Sequence, residues 1–188
     1  MIKLKKYYIY YNEKEDLYYL DKSYPYKKSN KYCGNRKKGN AIASAFRAIN
    51  LTNQNVSADT FVKVLFPLEQ FDLANEYNPV NSTFIPKEAG VYSNIGTISF
   101  SPNNPNIDYR ARIEIRINGN PAVAIDNDFF GGGVNFANAV NVSTILQLEA
   151  GDRVEIFAES SVDGTILTDT DGVISTHFEA ARFPSPTR

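Results

Sequence analysis

Apolar and polar positions alternate with a period of two through most of the chain beyond residue 40, the mark of strands with one face on a core and one in water. The segment Tyr109–Ile117 shows this most cleanly: Ala111, Ile113, Ile115 and Ile117 fall on one face, and Arg110, Arg112, Glu114 and Arg116 on the other. Residues 152–159 repeat the scheme with Val154, Ile156 and Ala158 inward, after an apolar run at 145–148 and a turn at 149–152. Residues 61–66 read as a further strand, residues 173–183 as the last one, and Asn118-Gly119-Asn120-Pro121 as a turn. No stretch keeps an apolar stripe at helical spacing over three turns. Short strands separated by turn signals predict an all-β sandwich or barrel. One position breaks the alternation. Phe157 falls on the outer face with Arg153, Glu155 and Glu159. A ring on a wet face is covered either by its own chain or by another subunit, which makes Phe157 a subunit-interface candidate.

Composition divides the chain where the pattern changes. The 188 residues carry 20 basic and 21 acidic side chains, for a net charge of −1. Eleven Lys/Arg and four Asp/Glu lie in residues 1–40, against nine and seventeen in residues 41–188. Nine of the 12 Tyr lie in the first segment and all 12 Phe in the second. Core-forming residues therefore belong to 41–188, a length of about 150 residues that buries most of its apolar surface without covalent staples. Residues 1–40 read as a basic, Tyr-rich N-terminal arm or linker. Tyr7, Tyr8, Tyr10 and Tyr11 suit a short strand, and the Gly and Asn among basic residues at 33–40 suit a flexible link, with the boundary near Gly39.

Several chemistries are excluded by count. The single Cys33 makes no intrachain disulfide, and the single His177 allows no multi-histidine metal centre. No apolar run approaches the roughly 20 residues of a membrane span, so no membrane insertion is expected. The start is basic, but the residues after it offer no apolar stretch and no small-residue cleavage site, so a signal-peptide route is not expected.

Between Phe66 and Tyr92 the spacing becomes specific. Phe66, Asp72, Tyr77, Phe84, Gly90 and Tyr92 stand in a series that resembles the signature of the globular head of complement C1q, a jelly-roll family allied to the tumour necrosis factors. Leu148-Glu149-Ala150-Gly151-Asp152-Arg153-Val154 is similar to that family's late Leu-x-x-Gly-Asp-x-Val turn, which adds Gly151 and Asp152 to the motif. The resemblance runs from about Phe46 to Phe183, and the wording of residues 61–79 looks most like the bacterial branch. It implies a C1q/TNF-like jelly-roll sandwich of about ten strands over 41–188, and a homotrimer. Asn94 and Gly96 stand where the family usually has aromatics, and no Gly-X-Y repeat precedes the head. The residues carry a physical reading of their own. Phe66, Phe84 and Tyr92 are anchors that each remove on the order of 150–250 Å² from water. Gly90 opens a strand where a Cβ would crowd its surroundings. Asp72, in a loop, is placed to bind backbone N–H groups.

Candidate chemistry is sparse. Asp126-Asn127-Asp128-Phe129-Phe130 followed by three glycines reads as a loop, with Asp126 and Asp128 as calcium candidates beside backbone carbonyls. Asp169-Thr170-Asp171-Gly172 opens like a calcium loop but lacks the later Glu, because position 180 is Ala. Ser175, His177 and Asp169 or Asp171 spell a triad on paper, yet no Gly-x-Ser-x-Gly supports it. Asn50, Asn81 and Asn141 head glycosylation sequons. The basic arm suits single-stranded nucleic acid, but the acidic remainder repels it, so no nucleic-acid partner is expected. The reading is a non-enzymatic homotrimeric head without a cofactor, displayed outside the cell or on a spore surface, that recognises a protein or glycan. The alternative is a structural coat or adhesive building block without a soluble ligand.

Overall fold

The computed structural model of the chain describes residues 9–12, 17–20, 43–133, 136–168 and 176–184. The chain divides into two compact units, Met1–Gly39 and Asn40–Arg188. In the first, strands β1 (Ile9–Asn12) and β2 (Leu17–Leu20) pair antiparallel, with Ile9 opposite Leu20. Tyr10 and Tyr11 of the expected short strand lie in β1, whereas Tyr7, Tyr8, Cys33 and the link at 33–40 fall outside the described residues.

Every regular element described in the second unit is a strand. In chain order they are β3 (Ala45–Ile49), β4 (Gln54–Val56), β5 (Val62–Lys63), β6 (Leu68–Asp72), β7 (Tyr77–Asn78), β8 (Thr83–Phe84), β9 (Gly90–Pro102), β10 (Tyr109–Ile117), β11 (Asn120–Phe130), β12 (Asn138–Leu148), β13 (Val154–Ser160), β14 (Gly164–Leu167) and β15 (His177–Arg182). They form two antiparallel sheets. One runs β11-β10-β13-β8-β7, with β5 also on β13. The other is built on β9, which pairs with β12 along one edge and with β15 and β14 in succession along the other, and continues through β3 to β6. Neighbours in space that are distant in sequence make this a jelly roll rather than a meander.

Period-two alternation sets which residues close the core. Ala111, Ile113 and Ile115 of β10 are buried beside Val154, Ile156 and Ala158 of β13. Opposite them lie Tyr92, Ile98 and Phe100 of β9 and Val140, Val142 and Leu148 of β12. One end is filled by aromatic rings. Phe46 stacks on Tyr77 at 4.6 Å and on Phe84 at 4.9 Å, and meets the edge of Phe178 at 4.9 Å. Such pairs add about 0.5–1.5 kcal/mol each beyond their buried area. Two glycines make room for this packing. A Cβ at Gly96 would stand 2.8 Å from Ile156 Cδ1, and one at Gly164 only 2.2 Å from the Phe100 ring.

Two strand assignments need correction. Residues 61–66 were expected as one strand, but regular pairing stops at Lys63. Val64 and Phe66 are still buried, with Phe61 and Leu65 exposed. The backbone donors of Leu65 and Phe66 go to the side chains of Gln54 and Ser82 instead of a neighbouring strand. The expected loop at 126–130 is strand β11, paired with β10 up to Phe130. The last strand begins at His177, and residues 173–175 of the expected strand lie outside the described residues.

Candidate functional site

The motif residues are placed by the fold as a connected set. Phe66, Phe84 and Tyr92 are buried. Tyr77 donates its hydroxyl to the Phe66 carbonyl at 2.8 Å, and burial pushes its phenol pKa up. Tyr92 donates to the Glu88 carbonyl at 2.8 Å, and burial raises its pKa too. Asp72 accepts from the backbone N–H groups of Ala74 at 3.1 Å and Tyr77 at 2.7 Å, which folds the loop before β7. A Cβ on Gly90 would stand 2.6 Å from Arg182 Nε, so its absence makes room for the Arg182–Glu88 ion pair beside it. Gly151 adopts φ +91°, a conformation open to glycine. Asp152 accepts from the Glu149 N–H at 2.8 Å and from Asn118 Nδ2 at 2.8 Å. Asn118 Oδ1 in turn accepts from the Arg153 N–H at 2.9 Å. The Gly-Asp turn thus clamps the β10–β11 hairpin to the β12–β13 connection. These contacts organise the fold, and none of these residues presents free chemistry.

Asn94 is fully buried on the inner side of β9. Its Nδ2 donates to the Tyr92 carbonyl at 3.3 Å, while Oδ1 has no hydrogen-bond partner. This is the local cost of placing an amide where an aromatic would pack.

Chemistry concentrates on the outer face of the β10–β13 sheet. Glu114 is 1% exposed and forms ion pairs with Arg112 and Arg116, the latter at 2.8 Å. Lys63 Nζ sits 2.6 Å from Glu155 Oε1, which also accepts from Thr83 Oγ1 and Arg153. Burial raises the Glu155 pKa, but the Lys63 ammonium, with Thr83 and Arg153, outweighs it and holds the carboxyl below its ordinary value. Arg110 pairs with Glu159 at 3.0 Å. Phe157 does lie on this outer face, opposite Glu114 and Lys63. The Arg116 guanidinium covers its ring at 4.0 Å and reaches the Phe61 ring at 4.6 Å. The cover that an outer-face aromatic requires is therefore present within the chain.

The outer face of the other sheet is the reverse. Across β12, β9, β15 and β3 the outward residues include Ala45, Ser93, Ile95, Thr97, Ser143, Ile145 and Ala181. Among the described residues of these four strands, the Asp, Glu, Lys or Arg side chains on this face are Arg47 and Glu179, and they pair with each other at 3.1 Å. Ile145 is 63% exposed, and Val91 and Phe183 are exposed beside the same end of β9. His177 lies on this face with Nε2 3.3 Å from Thr97 Oγ1. Ser175, Asp169 and Asp171, which would complete the paper triad or the second calcium loop, fall outside the described residues.

Asp126 and Asp128 are opposite Ile113 and Ala111, so both side chains face the inner side of β11 at the open edge of the sandwich. A strand directs its carbonyls within the sheet, away from its side chains, and does not wrap a cation as a loop does. Among the described residues no group of three or more His, Cys, Asp or Glu is placed to hold a metal. Burial and the neighbouring Asp126 carboxylate raise the Asp128 pKa. Of the two phenylalanines that follow, Phe130 stacks on Tyr109 at 5.1 Å and Phe129 is 79% exposed. Sequence reasoning missed three structural roles: the burial of Glu114, the cover that Arg116 gives to Phe157, and Gly164. Only the first left a trace, as the acid inside the Arg110–Arg116 run.

No family model matches the chain, and no curated protein matches it. Solved structures do. The globular domain of zebrafish complement 1qA protein is 18% identical with a TM-score of 0.45, over 73% of this chain and 93% of that one. Murine APRIL at pH 5.0 is 8% identical with a TM-score of 0.54, over 75% of this chain and 99% of that one. Eiger TNF from S. frugiperda is 14% identical with a TM-score of 0.50, over 78% and 97%. The APRIL and Eiger superpositions give the fold as a TNF-like jelly roll, in line with the jelly-roll sandwich that the spacing from Phe66 to Tyr92 implied.

Proposed function

We propose that the chain is a non-enzymatic recognition protein whose jelly-roll head assembles as a homotrimer and is displayed outside the cell or on a spore surface. The threefold number and the display rest on the sequence resemblance. The observation that carries the assembly is the contrast between the two outer faces. Interface cores are depleted of charge, and the β12-β9-β15-β3 face meets that condition, with one internally paired Arg47–Glu179 couple and an exposed Ile145. At the centre of the opposite face, the Lys63–Glu155 and Arg116–Glu114 pairs and the Phe157 ring are already engaged within the subunit. This reading moves the interface from Phe157 to the Ile145 face. A cyclic trimer needs two different patches that meet head to tail, and the outward row Val123, Ile125 on the edge strand β11 supplies a second exposed apolar surface.

Sedimentation of the full-length protein tests this. The parent is expected as a trimer, Ile145→Glu as a monomer with an unchanged far-ultraviolet β spectrum, and Phe157→Glu still as a trimer. A monomeric parent at micromolar concentration rejects the assembly. A trimeric Ile145→Glu together with a monomeric, folded Phe157→Glu returns the interface to the charged face.

A further inference from the structure

One end of the charged sheet holds a cleft that the fold of the chain leaves open. Its volume is about 710 Å³, and its walls include Asp59, Asp108, Arg110, Phe129 and Ser161. Four chain segments meet there: the turn before β5, the approach to β10, the end of β11 and the residues after β13. The Phe129 ring stands at the rim, 79% exposed, although the next residue, Phe130, is packed on Tyr109. An exposed ring on a strand end gains nothing from water and offers a flat apolar plate to a ligand.

The polar groups beside that plate are held in position and only partly used. Asp59 is fixed at φ 52°, with its N–H donating to the Ser160 carbonyl at 2.7 Å. Asp108 spends Oδ1 on the Gly132 N–H at 2.7 Å, which leaves its second oxygen as an acceptor. That bond also holds the glycine loop. A Cβ on Gly132 would stand 2.5 Å from the Asn106 carbonyl oxygen, so the loop keeps its shape only with glycine there. Ser161 Oγ accepts from the Arg110 N–H at 2.9 Å, and its own hydroxyl proton remains to donate. The Arg110 guanidinium, paired with Glu159 at 3.0 Å, has five N–H donors, more than that pair consumes.

We propose that this cleft binds a saccharide, with one apolar sugar face on the Phe129 ring and hydroxyl groups shared among Asp59, Asp108, Arg110 and Ser161. Carboxylates take the hydroxyl protons through charge-assisted bonds, while Arg110 and Ser161 give protons to sugar oxygens. Such a mixed set suits a neutral polyol better than a lone cation. In an open, wet cleft an ion pair is screened, and Arg110 opposes a positive ligand. This deepens the recognition reading above by naming the ligand class.

The test uses the ¹⁵N-labelled full-length protein, titrated into the millimolar range with the methyl glycosides of glucose, galactose, mannose and N-acetylglucosamine. Saturating amide shifts at residues 108–110, 129–132 and 161 are expected with at least one of them. Phe129→Ala and Asp59→Asn, both at exposed positions, should each weaken that binding at least tenfold while sedimentation stays as in the parent. The proposal falls if no glycoside shifts these amides, or if the shifts survive both substitutions. It also falls if Phe129→Ala alters only the sedimentation, since the ring then covers a second copy. A monomeric parent that still binds glycoside sinks the trimer and leaves the cleft standing.

Discussion

The two outer faces of the sandwich come from the same period-two strands and end as opposite surfaces. On the β10–β13 side, Arg112, Glu114 and Arg116 follow one another at alternate positions and interlock, and Lys63, Glu155 and Thr83 form a second knot beside them. On the β9 side the equivalent positions are mostly Ser, Thr, Ala and Ile, with Asn141 and His177 beside Thr97, and among the described residues of β12, β9, β15 and β3 the charged side chains on this face are the paired Arg47 and Glu179. Charge density alone therefore does not mark a binding surface. Where the charges of a face are paired with one another, as at the centre of this one, the surface is closed, because a partner would have to break those pairs to use them. A face of small neutral groups loses little water of value on contact and stays open for association.

The largest effect is expected from opening the charged face at its centre. Glu114→Ala leaves Arg112 and Arg116 facing each other over a buried gap. The expected loss is about 3–5 kcal/mol in urea unfolding, in the range for removing one partner of a buried pair. Replacing Glu114, Arg112 and Arg116 together with apolar residues of similar volume should recover most of that loss. A single Glu114→Ala with a loss under about 1 kcal/mol would place these charges in the solvent-screened class, and the face could no longer be called closed.

A smaller effect is expected at Phe157. Its ring is half-buried beneath Arg116, so Phe157→Ala removes a cation–π contact and some apolar burial, together about 1–2 kcal/mol. The thermal midpoint should fall while sedimentation does not change. A lower oligomer with an unchanged midpoint would show that Phe157 works between subunits.

Much of the fold could be read from the sequence because strand alternation is local. Val154, Ile156 and Ala158 point inward as their spacing said, and the motif aromatics Phe66, Tyr77, Phe84 and Tyr92 are all in the core. What the sequence hid is long-range. Nothing near Phe157 announces that Arg116, some forty residues away in the chain, lies over it. Residues 61–66 alternate like a strand, yet Gln54 and Ser82 capture the backbone groups that a strand would pair. Residues 126–130 look like a loop because their acids fall where an apolar inward set is expected. The reversal arises at a sheet edge, where the inner side of β11 opens toward water.

That edge gives the last and smallest expected effect. Asp128 shares the inner side of β11 with Asp126, between the packed Ala124 and Phe130. Burial and then Asp126 raise its folded pKa above the unfolded value of about 3.9. For an acid shifted upward, the folded state binds the proton more tightly than the unfolded state. Stability is therefore undiminished below the unfolded pKa, and it declines as pH rises through the folded pKa and the carboxylate ionises. Asp128→Asn removes that decline, so it should raise the thermal midpoint slightly at neutral pH and leave it unchanged in acid, where the parent is already protonated. An inward charge also keeps an exposed edge strand from pairing with another copy. The same substitution should therefore increase light scattering at high protein concentration at neutral pH, so that the more stable variant is the less soluble one. A midpoint gain of equal size at both pH values would mean that desolvation of the ionised Asp128 is not what the substitution relieves. A gain without added scattering would mean that β11 is guarded by other means, with Val123 and Ile125 already covered by a neighbouring subunit.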